Sequence, residues 1–143
     1  MKTVKFTINL KWIFGIALVL VFLAMCTSCA KKITFLTSSV VPAARGEVTF
    51  KKDKNNNYKI NLELYYLAEP ARLQPPKSTY VVWLISNNDE KPINIGQIVG
   101  TSSLKVKFET VSSSKPKKIF ITAEDNPTID YPSNFIVLET NNF

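Results

Sequence analysis

No histidine occurs in the 143 residues, and both methionines (Met1, Met25) and both cysteines (Cys26, Cys29) lie close to the N-terminus. Beyond Cys29, copper, haem, iron-sulfur and ordinary zinc sites therefore lack their usual ligands. Ser-His-Asp and Cys-His nucleophile machinery lacks its general base in the same way. Any catalysis would have to rest on carboxylates, Lys or Tyr, so the expectation is a protein that is not an enzyme and holds no cofactor or metal. A helical period of useful length is missing too, and no internal repeat is visible.

What stands at the N-terminus reads as an export signal. Lys2, Lys5 and Lys11 precede an apolar run from Trp12 to Met25, and Cys26-Thr27-Ser28-Cys29-Ala30-Lys31-Lys32 follows. A basic region, an apolar stretch of about 7 to 15 residues and small residues before a cut are the parts of a secretory signal peptide. The run is short against the roughly 20 apolar residues of a membrane-spanning helix, and Lys31 and Lys32 would sit on the exported side, against the positive-inside bias. Small residues before a cysteine resemble a bacterial lipoprotein signal, which implies cleavage after Ser28 and a diacylated Cys29. Met25 is bulky for a cleavage site in front of Cys26, so Cys29 is preferred. The Cys26-x-x-Cys29 spacing also fits a redox or zinc motif, but no second pair or histidine completes a site.

Removing the signal changes the charge argument. Three of the 18 Lys and Arg leave with it, so 15 basic residues face 11 acidic ones, a net of +4. The sequence pI of about 9.4 is thus no sign of a nucleic-acid protein, which needs a concentrated basic face. The 114 residues after Cys29 suit one domain. The expected organisation is a lipoprotein signal peptide over 1–28, a lipidated tether over 29–39 and a β-sandwich domain over 40–143.

Strand patterns fill that domain. Tyr58, Ile60, Leu62, Leu64 and Tyr66 alternate with Lys59, Asn61, Glu63 and Tyr65, a period of 2 that buries one face and wets the other, over Tyr58 to Leu67. Glu47 to Lys52 pairs with it across Asp53 to Asn57, where Asp and Asn tolerate a positive φ. Tyr80 to Ser86 is almost continuously apolar, as in a central strand covered on both sides. Ile93 to Val99, Leu104 to Thr110, Ile119 to Glu124 and Phe135 to Thr140 complete seven strands. Pro116 and the serines before it break the chain, and Pro127 and Pro132 keep 125–134 out of a ladder. The fold class is all-β, an antiparallel sandwich.

Several of these segments together are similar to the extracytoplasmic C-terminal domain of anti-sigma-K factor type regulators. They are Leu73-Gln74-Pro75-Pro76, Tyr80-Val81-Val82-Trp83-Leu84, Ile95-Gly96, Thr122-Ala123-Glu124 and Val137-Leu138, and the likeness runs from about Val40 to Thr140. The resemblance implies an immunoglobulin-like antiparallel sandwich outside the cytoplasmic membrane. It does not extend to anti-sigma activity, because only eleven residues precede Trp12 where the sigma-binding domain would stand. The family glycines near Lys77 and Asn134 are also absent.

Candidate site residues each have a plain alternative. Trp83 is expected to anchor the core, as sandwich domains commonly bury one Trp on a central strand, and Tyr65 could mark a contact surface. Glu124, Asp125, Asn126 and Asp130 offer oxygen ligands for Ca²⁺ but lack EF-hand spacing and glycine, so a solvated turn is expected. Nothing beyond proximity makes those carboxylates an acid/base pair. Lys115, Lys117 and Lys118 around Pro116 are expected in a solvated loop, with attraction to anionic headgroups as the alternative.

The longest irregular segment, Asp125 to Asn134, has two prolines that limit its freedom. Asp125, Ile129, Asp130 and Tyr131 are its candidate partner contacts, unless Ile129 and Tyr131 fold back to cap the core. The functional expectation is a non-catalytic interaction or sensory module in the cell envelope. Its domain would face outside the cytoplasm, the membrane being engaged through lipid on Cys29 and the partner being an envelope protein. A glycan-binding or hydrolytic lipoprotein is the alternative.

Overall fold

The computed structural model describes Lys11, residues 32–100 and residues 104–143. Among the described residues eight strands form two antiparallel sheets: β1 (Lys32–Thr34), β2 (Arg45–Lys52), β3 (Tyr58–Tyr65), β4 (Thr79–Ser86), β5 (Ile93–Ile98), β6 (Lys105–Ser112), β7 (Pro116–Glu124) and β8 (Ile136–Glu139). The order in the first sheet is β1-β2-β3-β6 and in the second β5-β4-β7-β8. The chain is thus an all-β, immunoglobulin-like antiparallel sandwich in architecture, and within residues 32–100 and 104–143 the one helical piece is the 3₁₀ turn Pro70–Arg72. Among the described residues, no helix is long and apolar enough to cross a membrane. The Trp12 to Met25 run and Cys29 lie outside the described residues.

Alternation positions the core. Ile60, Leu62 and Leu64 of β3 are buried while Lys59 between the turn and the core is exposed and Asn61, Glu63 and Tyr65 are half-buried on the outer face. They meet Val106 of β6, Val48 of β2 and, from the facing sheet, Tyr80, Val82, Leu84, Ile119 and Ile121. Each fully buried side chain of this kind contributes about 1.5–3 kcal/mol. The turn after β2 behaves as its composition predicts: Asn56 has φ 66°, and Asp53 Oδ1 accepts from the N–H groups of Asn55 and Asn57. β3 ends two residues before the expected Leu67, because Tyr66 adopts φ 55° and gives its N–H to Leu104 O instead of a ladder partner.

Two expectations need correcting. Residues 32–39 are more than a tether. β1 pairs with β2, and the next residue, Phe35, bridges to Thr140 beside β8, with the Leu36 N–H donating to Glu139 O. One short run of chain thereby joins both sheets along one side of the sandwich. Nor do Pro116, Lys117 and Lys118 form a solvated loop. β7 begins at Pro116, which is buried opposite Ser86, since proline is tolerated as the first residue of a strand.

β4 is covered on both faces, as its apolar run implies, but the two covers differ. Tyr80, Val82 and Leu84 point into the space between the sheets, whereas Val81 and Trp83 face outward and join Phe120 in a separate buried cluster. Trp83 is fully buried, as expected of a core anchor, yet its core is this second one on the outside of the sheet. The Trp83 and Phe120 rings stack with centroids 6.3 Å apart.

Candidate functional site

Trp83 is sealed by the 125–134 segment, which leaves β7, crosses the outer face of the second sheet and returns to β8. Ile129, half-buried, packs on the Trp83 cluster. Asn94 of β5, whose backbone pairs with Trp83, holds the loop through its side chain: Nδ2 donates to Pro127 O at 2.9 Å and to Ile129 O at 3.1 Å. Gly96 N–H in turn donates to Asn94 Oδ1, which orients the amide. Within the loop, Asn126 Oδ1 accepts from the Thr128 N–H and hydroxyl.

A buried polar chain fixes the root of the loop. Trp83 Nε1–H donates to Thr122 Oγ1 at 2.8 Å, the Thr122 hydroxyl donates to Glu124 Oε1, and the same oxygen accepts the Ser133 N–H at 2.9 Å. Glu124 is only 4% exposed, so the expected solvated turn does not include it. Its carboxylate is spent on joining strand to loop. Among the described residues no group of three or more His, Cys, Asp or Glu could hold a metal ion.

The four candidate contact residues are divided by this arrangement. Asp125 Oδ2 pairs with Lys77 Nζ at 2.7 Å, and Ile129 belongs to the Trp83 cluster. Asp130 is exposed, and Tyr131 is 65% exposed with Lys91 Nζ 5.0 Å from its ring centroid. The outward part of the loop is thus Asp130 and Tyr131, beside Lys91. Sequence reasoning overlooked Asn94; its place between two β-branched isoleucines in a strand, where Asn is disfavoured, was the available signal.

The outer face of the first sheet is charged and internally paired. Glu63 accepts from Lys105 Nζ at 2.9 Å and from the Tyr65 hydroxyl at 3.1 Å, and these bonds hold its carboxyl below the usual range and push the Lys105 ammonium up. Tyr65, a candidate contact, is therefore engaged with its own sheet, with Lys105 Nζ 5.1 Å from its ring centroid. A shallow concavity of about 290 Å³ lies on the same face between Lys32, Glu47, Asn61 and Lys107. Asn61 Oδ1, at its floor, is buried without a hydrogen-bond partner.

Tyr66, 57% exposed, stands at the end of the sandwich opposite to Lys91 and Tyr131, next to the exposed Val99 and Leu104. The two most exposed tyrosines therefore do not combine into one stacking platform. No family model, curated protein or solved structure matches the chain.

Proposed function

We propose that the protein is a lipid-anchored, non-catalytic sandwich module of the cell envelope that recognises a protein partner through Asp130 and Tyr131. The observation that carries this reading is the rigid mounting of the loop. Two Asn94 hydrogen bonds, the Glu124–Ser133 bond and the seated Ile129 fix its backbone, while Tyr131 remains 65% exposed beside Lys91. A loop already ordered loses little entropy on binding, and tyrosine is enriched among residues that dominate binding energy. The N-terminal signal and Cys29 supply the address.

The test compares intact lipoproteins recovered from membranes at equal folded amounts. Asp130→Ala with Tyr131→Ala is expected to keep the thermal midpoint and to lose most of the captured partner. Cys29→Ala is expected to leave the membrane fraction or to accumulate unprocessed. Undiminished capture by the double variant would refute the contact assignment, and a Cys29→Ala protein that still carries acyl chains would refute the anchor.

A further inference from the structure

The sandwich has one basic end and one neutral end. Lys51, Lys52 and Lys54 surround the Asp53–Asn57 turn, and Lys115, Lys117 and Lys118 surround the start of β7. The two groups lie at the same end, because Tyr58 pairs with Ser112 across the first sheet and Phe143 joins both sheets there. Phe143 stacks on Phe50 of β2 at 5.5 Å and gives its N–H to Lys117 O of β7. Most acids of this end are engaged. Asp53 is bonded to its own turn, Asp89 accepts the Lys91 N–H, Glu90 pairs with Lys117 at 3.4 Å and Glu139 pairs with Lys118 at 2.6 Å, while Asp130, next to the Tyr131 that Lys91 covers, is exposed.

Lys51, Lys54 and Lys115 are exposed and have no ion-pair partner among the described residues. At the opposite end the cations Arg45, Arg72, Lys77 and Lys105 are matched in number by Glu63, Glu69, Glu124 and Asp125; Arg72 pairs with Glu69, Lys77 with Asp125 and Lys105 with Glu63, and Arg45 donates to Pro42 O.

The polarity of β1 points to what meets the basic end. Lys32 lies opposite Thr49 and Thr34 opposite Glu47, so the chain enters the sheet from the direction of Lys52 and the Asp53–Asn57 turn. Cys29 stands three positions before Lys32, and three positions of chain span at most about 11 Å. From Thr49 to Lys52 along β2 is also three residues, roughly 10 Å. A lipid on Cys29 therefore leaves no slack with which the opposite end could turn to the bilayer while the basic end stays clear of it.

We infer that the lysine-rich end of the sandwich is a docking surface for anionic phospholipid headgroups, which fixes the orientation of the domain on its membrane, points Tyr66 and Leu104 away from it, and sets Lys91 and Tyr131 at the membrane-facing end, so that the partner of Asp130 and Tyr131 is met beside the headgroups. This rests on Cys29 being the anchor. Lysines near an anionic leaflet are attracted strongly enough to change local association on the order of fivefold each, and salt screens the attraction.

The test uses the intact lipoprotein reconstituted in vesicles of phosphatidylcholine alone or with one-third phosphatidylglycerol, treated with a membrane-impermeant amine reagent and read by peptide mass. Labelling of Lys51, Lys54 and Lys115 is expected to slow on the order of fivefold in the anionic vesicles, to recover in high salt, and to leave Lys105 unchanged. Lys51→Glu with Lys54→Glu and Lys115→Glu, at exposed positions without ion pairs, should abolish the slowing at neighbouring Lys52.

Equal labelling in the two vesicle types, or slowing at Lys105 instead, would overturn the inference, as would salt-independent protection in both types. The same digest reports the mass of the Cys29 peptide. An acylated Cys29 with unprotected lysines sinks the orientation alone, whereas an unmodified Cys29 sinks the anchor and the orientation built on it.

Discussion

Replacing Trp83 separates the volume of the outer cluster from its polar attachment. Trp83→Ala removes a fully buried ring stacked on Phe120 and under Ile129, and truncating a buried aromatic to Ala costs about 3–5 kcal/mol. Trp83→Phe keeps most of that volume and the stack but removes the Nε1–H that reaches Thr122 Oγ1 at 2.8 Å, and a buried oxygen left without its donor costs about 1–3 kcal/mol. With a urea m-value of about 2 kcal/mol per M, the midpoints should fall by roughly 1.5–2.5 M and 0.5–1.5 M respectively. Far-UV circular dichroism is the appropriate readout, since the substitution removes the fluorophore itself. A midpoint within experimental error of wild type for Trp83→Ala would refute the existence of a second core beneath the loop. Equal losses for the two variants would show that the polar chain through Thr122 and Glu124, and not packing, holds the loop down.

Tyr80, buried in the main core with its hydroxyl donating to Ala68 O at 3.0 Å, has its ionisation pushed up to about 12 by burial. The unfolded chain ionises nearer 10.0, so the stability linked to this group is full below pH 10 and lost as pH rises through 12, about 3 kcal/mol in all. Tyr80→Phe should lose about 0.5–1.5 kcal/mol at neutral pH and flatten the alkaline limb of a stability titration; an unchanged limb would refute the linkage. At Gly46, an added Cβ would meet Leu64 Cδ2 at 2.6 Å and Glu63 O at 3.0 Å, so Gly46→Ala should cost about 1–3 kcal/mol, or about 4–8 °C in melting temperature per kcal/mol. A melting temperature equal to wild type would show that β2 and β3 can move apart there.

The strands whose two faces differ chemically were legible from the residues alone. β3 declares itself because Ile60, Leu62 and Leu64 must be dry while Lys59 and Glu63 must be wet, and a slip of one residue would exchange them. β1 has no such signature. Lys32, Ile33 and Thr34 are too few to show a period, and their pairing depends on Thr49, Val48 and Glu47 far along the chain.

The candidate site was half legible for a similar reason. Pro127 and Pro132 mark 125–134 as irregular, but nothing within the segment says that Ile129 will land on Trp83 or that Asn94 will receive its carbonyls. Those contacts are set by the spatial order of β5, β4 and β7. Glu124 misled because an acidic residue beside Asp125 and Asn126 resembles a wet turn, and only the Thr122 hydroxyl and Ser133 N–H make its burial tolerable.

The crossing of Phe35 from one sheet to the other has a consequence for how the molecule behaves among its own copies. An open sandwich ends in strands with unpaired N–H and C=O groups, ready to template another chain. Here β1 covers the edge of β2, and the residues that follow it bond to Glu139 and Thr140 at the end of β8. On the other side the Thr110 hydroxyl of β6 donates to Ile95 O of β5 at 3.2 Å, so the second seam is stitched as well. Each flank is thus stitched by the chain itself at these points, and a neighbouring copy could add only along the stretches of the edge strands β1, β6, β5 and β8 that the stitches leave free.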